Sequence, residues 1–141
     1  MAKLPTLIFT LMCEDIRQKA FGKISLLGVY SEHIYFKEHP MRMRSLAFFN
    51  CFSEGEGTFN VKAKIRTASG EVLQDLDLRE VAFPPTGESS FTTLATVIGN
   101  LTFKNEGAHS YELYFDGKSE PHVQFKFSVA VKPGRFSELS P

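Results

Sequence analysis

The sequence predicts an all-β fold, namely an antiparallel β-sandwich of about eight or nine strands with at most short helical turns. Apolar and polar residues alternate with period two through most of the chain, which places alternate side chains on opposite faces of a strand. Turn-forming residues recur roughly every 10 residues, a spacing typical of sandwiches and barrels. No long segment carries apolar residues three and four apart, and this excludes the α/β folds.

Three strands are predicted in the first part of the chain. The first covers residues 7–13 and is followed by a polar connection, residues 14–22, with room for one helical turn. The second covers residues 23–30 and has few polar side chains on either face, so we expect a central strand, covered on both sides, with a bulge at Gly28. The third, residues 41–53, is rich in aromatic residues and ends in a glycine-containing turn.

Two hairpins are predicted in the remainder of the chain. Residues 59–66 and 71–79 form one of them and present a charged outer face. Residues 110–116 and 122–132 form the other, around an Asp-Gly pair that tolerates positive φ. Between the hairpins, the pattern in residues 91–103 predicts strand structure interrupted by a glycine.

We expect a single domain, residues 1–132, because no linker divides a chain of this length. The last residues, 133–141, lack periodicity and are expected to form a loose C-terminal tail. The apolar run at residues 7–13 is interpreted as a strand rather than a signal peptide, because no small-residue cleavage site follows it. No apolar run approaches the roughly 18–20 residues that span a bilayer, so we expect no membrane partner.

Charge and cysteine content narrow the class of partner and the compartment. The chain has 16 basic and 16 acidic residues, and without a basic excess we expect no nucleic-acid partner. Two cysteines, Cys13 and Cys51, allow one disulfide at most. Because the sequence has no Trp around which an immunoglobulin bridge would pack, we expect two buried free thiols and a cytoplasmic location.

No motif predicts an enzyme, a cofactor or a metal site. The four histidines, at positions 33, 39, 109 and 122, do not have the spacing of metal ligands. The chain lacks both a nucleophile elbow and a glycine-rich phosphate loop. We therefore expect no catalytic residue and no cofactor. One enzymatic alternative stays open, an uncharacterised hydrolase, because a pair of catalytic carboxylates can be distant in sequence.

The surplus of aromatic residues predicts an interaction surface. The chain has 14 Phe and 4 Tyr, more than one polar-faced sandwich needs in its core. Six are singled out as candidates for this surface: Tyr30, Tyr35, Phe36, Phe48, Phe52 and Tyr114. Tyr114 is the clearest candidate, since it alternates with the apolar Leu113 and Phe115, and we select Tyr114, Tyr35 and Phe36 as the predicted surface.

The favoured function is therefore a non-enzymatic module that binds an unknown protein partner or a second copy of itself. A homodimer would place a second layer over the surplus aromatic residues. The alternative is a sandwich that binds carbohydrate or another small ligand, with aromatic side chains lining a concave site.

Two segments carry a family resemblance. Cys13-Glu14-Asp15-Ile16-Arg17, followed by the run from Gly22 to Tyr30, resembles the opening of a bacterial family recorded only as a domain of unknown function. The segment from Gly107 through Tyr111 to Asp116-Gly117 resembles the penultimate strand of immunoglobulin-like sandwiches. The resemblance implies a small bacterial cytosolic protein with an immunoglobulin-like sandwich, and it supplies no activity or site residue.

Overall fold

A computed structural model of the chain describes residues 2–85 and 91–132, and these residues form two packed β-sheets. The strands are, in chain order, β1 (Thr6–Gln18), β2 (Ile24–Tyr30), β3 (His33–Phe36), β4 (Met41–Ser53), β5 (Gly57–Thr67), β6 (Val72–Phe83), β7 (Thr92–Phe103), β8 (Gly107–Phe115) and β9 (Val123–Val131). One sheet has the order β2-β1-β4-β7 and the other has the order β3-β9-β8-β5-β6. The predicted all-β sandwich is confirmed.

Both predicted hairpins are present in the five-stranded sheet. Strands β5 and β6 pair antiparallel, and so do β8 and β9. Asp116 and Gly117 have φ values of 52° and 68° and reverse the chain after β8. Asp and Gly both tolerate the left-handed region, and both residues adopt it here.

Three features of the four-stranded sheet differ from the sequence prediction. Strand β1 continues to Gln18, through residues predicted as a polar connection, because β2 pairs with it along this whole length. Strand β7 continues through Gly99, where the sequence predicted an interruption. A departure from extended backbone conformation in this part of β7 is at Asn100, which has a φ of 52°. Strand β2 lies at the edge of the sheet, and the prediction of a central strand is wrong. Its apolar Val29 is exposed, so the apolar composition of β2 does not reflect burial on both faces.

One strand pair departs from the predicted antiparallel arrangement. After β2 the chain crosses from the four-stranded to the five-stranded sheet, and β3 then runs parallel to β9 at the sheet edge. Strand β4 returns to the first sheet after a cis peptide bond between His39 and Pro40. Because β3 and β9 are far apart in the chain, residue alternation within either strand does not reveal that they pair or in which direction.

An aromatic core fills the space between the sheets. The rings of Phe52, Phe59, Phe83 and Phe115 meet mostly edge to face, with centroids 5.6–6.2 Å apart. Phe48 stacks on Tyr111 with a centroid distance of 3.9 Å. Both Phe48 and Phe52 are completely buried, so their proposed place among surface aromatics is wrong. These phenylalanines serve the core.

A buried hydrogen-bonded cluster crosses this core. The hydroxyl of Tyr111, in β8, accepts a bond from Asn50 Nδ2, in β4, at 2.9 Å and lies 2.7 Å from Thr96 Oγ1 in β7. Asn50 also donates to the carbonyl oxygen of Leu94 at 3.0 Å and accepts from Thr10 Oγ1, in β1, at 2.9 Å. Desolvation in this position raises the pKa of Tyr111 to about 12, so its phenol is neutral at ordinary pH. The cluster therefore links one strand of the five-stranded sheet to three strands of the other.

The described residues contain only one helical segment, the 3₁₀ turn Ala20–Gly22, and no helix among them is long and apolar enough to cross a membrane. The predicted loose tail, residues 133–141, lies outside the described residues. The assignment of residues 1–132 to a single domain stays a prediction.

We predict that Tyr111→Phe lowers the free energy of unfolding by about 1–3 kcal/mol, because Asn50 and Thr96 stay buried and each loses its hydrogen bond to the Tyr111 hydroxyl. Tyr35→Phe is the matched control, since the Tyr35 hydroxyl makes no hydrogen bond with the described residues and the change should be nearly neutral. Urea unfolding of both variants and the wild type measures the difference. Equal stability of Tyr111→Phe and wild type would contradict a structural role for the cluster.

Candidate interaction surface

The three residues selected from the sequence do not form one surface. Tyr35, on β3, stacks beside His33 and carries the Lys132 ammonium 4.4 Å from its ring centroid. Phe36 packs against the core and lies 6.1 Å from the ring of Phe103. Tyr35 is opposite Ala130 on β9, whereas Tyr114 lies on β8 at the other end of the sheet, roughly 28 Å away by strand geometry. Contact of any of the three with a partner stays a prediction.

Tyr114 belongs to a polar cluster on the outer face of the five-stranded sheet. Its hydroxyl donates to Glu112 Oε1 at 2.6 Å, and Arg66 Nε donates to the same oxygen at 2.8 Å. The other carboxylate oxygen of Glu112 accepts weaker bonds from Gln124 and Ser110, at 3.3 and 3.4 Å. These bonds connect the neighbouring strands β5, β8 and β9. Glu112 is buried beneath its partners, and its acceptor positions are occupied by these donors.

The ionisation of Glu112 reflects this environment. Burial alone would raise the pKa of its carboxyl, but the hydrogen bonds from Tyr114 and Arg66, with the positive charge of Arg66, outweigh burial and lower the pKa below its ordinary value of 4.5. Glu112 is therefore a carboxylate at neutral pH, held as an acceptor within the sheet. A carboxylate in this state is suited to stabilising strands and poorly suited to accepting a proton from a substrate.

The outer face of the four-stranded sheet is apolar, which alternation along single strands did not indicate. Cross-strand pairing places its residues in three rows. The first row is Val97–Ala47–Cys13–Val29, the second is Ala95–Phe49–Leu11, and the third is Thr93–Cys51–Phe9. No charged side chain occurs in any row. We call this surface, defined by the three rows, the apolar face.

The apolar face combines exposed large residues with buried small ones. Val29, Val97 and Phe9 are 53%, 51% and 41% exposed, whereas the cysteines and Ala47 lie below the level of their neighbours and are buried. Phe9 and Phe49 contact each other, with ring centroids 6.2 Å apart. Exposed apolar side chains that are clustered in this way mark interaction sites.

Polar residues lie beyond both ends of the apolar face. Asp15 and Ser45 follow the first row, and Thr6 and Ser53 follow the third row on β1 and β4. An apolar centre with a polar rim is the arrangement found at protein–protein interfaces.

No group of three or more metal-binding side chains occurs among residues 2–85 and 91–132. His109 is the one buried histidine of this part of the chain, packed between Phe103 and Phe127 with its Nε2 atom unpaired. Desolvation lowers the pKa of this imidazole, so it is neutral at physiological pH. It is a core residue, with no second ligating group beside it.

Comparison with known proteins identifies the family. Residues 8–129 match the model of a family of unknown function, DUF6941. The chain belongs to DUF6941. No curated protein matches it. Among solved structures it is similar to the alkylpurine DNA glycosylase AlkC of Pseudomonas fluorescens, bound to DNA containing an abasic site analogue, with 13% sequence identity and a TM-score of 0.45. The similarity covers 70% of this chain and 28% of the glycosylase, so the chain spans under a third of that protein.

The DUF6941 match confirms the predicted membership in a family of unknown function, and it spans every residue of the apolar face. It assigns no chemistry to any of these residues. Sequence inspection missed the apolar face because its rows combine residues from four strands, and the sequence signal was the absence of charge in residues 7–13, 45–53 and 91–103.

We predict that Glu112→Gln lowers the free energy of unfolding at neutral pH by about 1–3 kcal/mol. Because the folded carboxyl ionises more readily than the unfolded one, Glu112 contributes stability that is complete well above pH 4.5 and is lost as the pH falls through its folded pKa. The difference in the free energy of unfolding between wild type and variant should therefore become smaller below about pH 4.5.

Urea unfolding at a series of pH values measures this gap, and subtracting the two curves removes the shared contribution of His109. Asp75→Asn is the matched control, because Asp75 is exposed on β6 and should give a gap near zero at every pH. A gap for Glu112→Gln that stays constant down to strongly acidic pH would show that ionisation of Glu112 is not what stabilises the cluster.

Proposed function

We propose that the protein is a non-enzymatic interaction module that self-associates through the apolar face. The observation that carries this proposal is the run of three charge-free rows, one of which crosses all four strands of its sheet. Burying such a face removes apolar area from water at about 25 cal/mol per Å² and leaves no charge without a partner.

The arrangement of large and small side chains on the apolar face allows it to pack against a second copy of the same face. Large residues form a ridge that runs from Val29 through Leu11 to Phe9. Small residues on the adjacent strand β4 leave hollows beside it, at Ala47 in the first row and at Cys51 in the third. In a two-fold symmetric contact each surface meets itself, so a face that carries both ridge and hollows can complement its own copy. The absence of charge also means that symmetry brings no like charges together.

The size of the apolar face sets the expected affinity. The three rows contain ten residues, and with strands about 4.8 Å apart and rows about 7 Å apart they cover about 340 Å² in projection. A standard stable interface buries about 800 Å² on each partner, so the polar rim must contribute part of the contact. We therefore expect a dimer with a dissociation constant on the order of micromolar rather than an obligate one.

The non-enzymatic part of the proposal is supported by the state of the buried carboxylate. Glu112 is the buried acidic residue of the described part of the chain, and donors from Arg66 and Tyr114 already occupy its more strongly bonded oxygen. A general base needs a free acceptor position facing the substrate.

The cytoplasm of a bacterium is the proposed location. Cys13 and Cys51 are both free and buried, and burial raises the pKa of both thiols, which keeps them protonated and unreactive. Free buried thiols are typical of reducing compartments.

We predict that the wild-type protein sediments as a concentration-dependent mixture of the 15.9 kDa monomer and a species of twice that mass. Val29→Lys and Val97→Lys should each shift the mixture to monomer, weakening the dimer by roughly tenfold or more, because a buried ammonium would lack a partner. Both valines are about half exposed, so these changes leave the core intact.

Val72→Lys is the matched control, since Val72 is an exposed valine on the five-stranded sheet and its change should leave the dimer unaffected. Analytical ultracentrifugation over a range of concentrations measures the masses, and circular dichroism verifies folding. A wild-type protein that stays at 15.9 kDa at high concentration would refute self-association. A dimer that forms equally well with Val29→Lys and Val97→Lys would place the interface elsewhere.

A further inference from the structure

The four-stranded sheet is forked. Strands β1 and β4 pair only as far as Cys13 opposite Ala47. Beyond that pair β1 continues to Gln18 with β2 as its partner, and the preceding part of β4, from Met41, has β7 as its partner. The sheet therefore divides into a β1–β2 arm and a β4–β7 arm.

Local backbone features coincide with the start of the fork. Gly28 has a φ of 64°, and a β-carbon there would lie 2.5 Å from the carboxyl group of Glu14. Asn100, also in the left-handed region, lies across from Arg44 between two regular pairs of β4 and β7. On the open edge of β1, the backbone N–H of Ile16 donates to the Asp15 carboxylate at 2.9 Å instead of to a strand. Both arms therefore contain local backbone features at the point where β1 and β4 separate.

An open cleft of about 410 Å³ lies in the fork. Its volume falls in the range of about 300–1,000 Å³ that small-molecule sites occupy. The aromatic and apolar lining comes from Tyr30, Phe36, Met43 and Leu27, and Ser45 also borders it. The charged lining comes from Glu14, Asp15 and Arg17 on one arm and from Arg42 and Arg44 on the other.

Three of the side chains that line this cleft carry donors without a partner among the described residues. Asp15 and Arg17 form an ion pair with each other at 3.5 Å. Among the residues that the structure describes, neither Arg42 nor Arg44 makes an ion pair or a side-chain hydrogen bond, and the hydroxyl of Tyr30 has no partner either. Desolvation and the nearby Glu14 carboxylate raise the pKa of Tyr30 to about 12, so its phenol keeps the proton that it can donate.

The charges of the cleft favour an anion. Once the Asp15–Arg17 pair is set aside, two guanidinium groups remain with one carboxylate, that of Glu14, and this carboxylate lies against Gly28 on the neighbouring strand of its own arm. Guanidinium groups bind carboxylates and phosphates through two parallel hydrogen bonds. The neighbouring aromatic side chains offer a surface for a planar apolar group.

We propose that the fork cleft binds a small organic anion, a carboxylate or phosphate monoester joined to a planar apolar group. Arg42 and Arg44 hold the anionic group, the Tyr30 hydroxyl donates to it, and Phe36 contacts the apolar part. This inference is independent of self-association, because the side chains it uses belong to none of the three rows of the apolar face.

The test is titration of the wild-type protein with phenyl phosphate and with benzoate, measured by calorimetry and by shifts of assigned backbone amide resonances. We expect saturable binding with a dissociation constant of roughly 1 mM or tighter and the largest shifts at Arg42, Arg44 and Tyr30. Inorganic phosphate and benzyl alcohol are the matched probes, and each should bind at least about tenfold more weakly, since each carries only one of the two recognised groups.

Arg42→Gln and Arg44→Gln should each weaken phenyl phosphate binding by about tenfold, the loss expected for one charge-assisted contact. Arg79→Gln is the matched control, because Arg79 is exposed on β6 and should not alter binding. Absence of saturable binding by both aromatic anions would overturn the proposal. Binding that survives in the Arg42→Gln/Arg44→Gln double variant, or equal affinity for phenyl phosphate and inorganic phosphate, would also overturn it.

Discussion

The hydrogen bond between Asn50 and Tyr111 is the interaction on which the arrangement of the two sheets depends. Sheet register is normally fixed by alternation, because a shift of one residue moves apolar side chains from the core to solvent. The four-stranded sheet lacks this safeguard, since its inner face carries Met12 and Phe48 and its outer face carries Leu11 and Phe49. A slip of β4 would turn Asn50 outward and remove the hydrogen bond that it donates to the buried Tyr111 hydroxyl, at a cost of about 0.5–1.5 kcal/mol. The polar cluster thus supplies the register information that apolar patterning does not.

The location of the polar groups that fix each sheet also explains why the two outer faces differ. The five-stranded sheet has a polar outer face, where Glu112 bonds to Arg66 on β5 and Gln124 on β9 and holds three strands together. The four-stranded sheet has no equivalent outside and is fixed from within, through Asn50, so its outer face is free of structural polar groups. A surface without such groups can be apolar and available for contact with another molecule.

Features that depend on the residues of a single strand could be predicted from the sequence, whereas features that combine residues from several strands could not. Alternation predicts that Leu113 and Phe115 lie on the face opposite to Tyr114, and both residues are buried in the core, because period two is a local property. Asn50 and Tyr111 are 61 positions apart, and nothing local marks them as partners. The surplus of phenylalanine pointed to the surface, whereas Phe48 and Phe52 lie in the core, because composition does not distinguish two apolar faces of one strand. The edge position of β2 was hidden for the same reason.

The fork and the apolar face share one boundary, the pair of Cys13 and Ala47. On one side of it β1 and β4 remain hydrogen-bonded and present continuous rows, and on the other side they separate and leave Arg42 and Arg44 beside an open cleft. Charged residues lie where the sheet is divided and are absent where it is continuous. Since a charge within the rows would cost far more on burial than one at a wet cleft, this segregation keeps the two surfaces chemically compatible on a single small sheet. The point at which β1 and β4 stop pairing therefore determines where the molecule is apolar and where it is cationic.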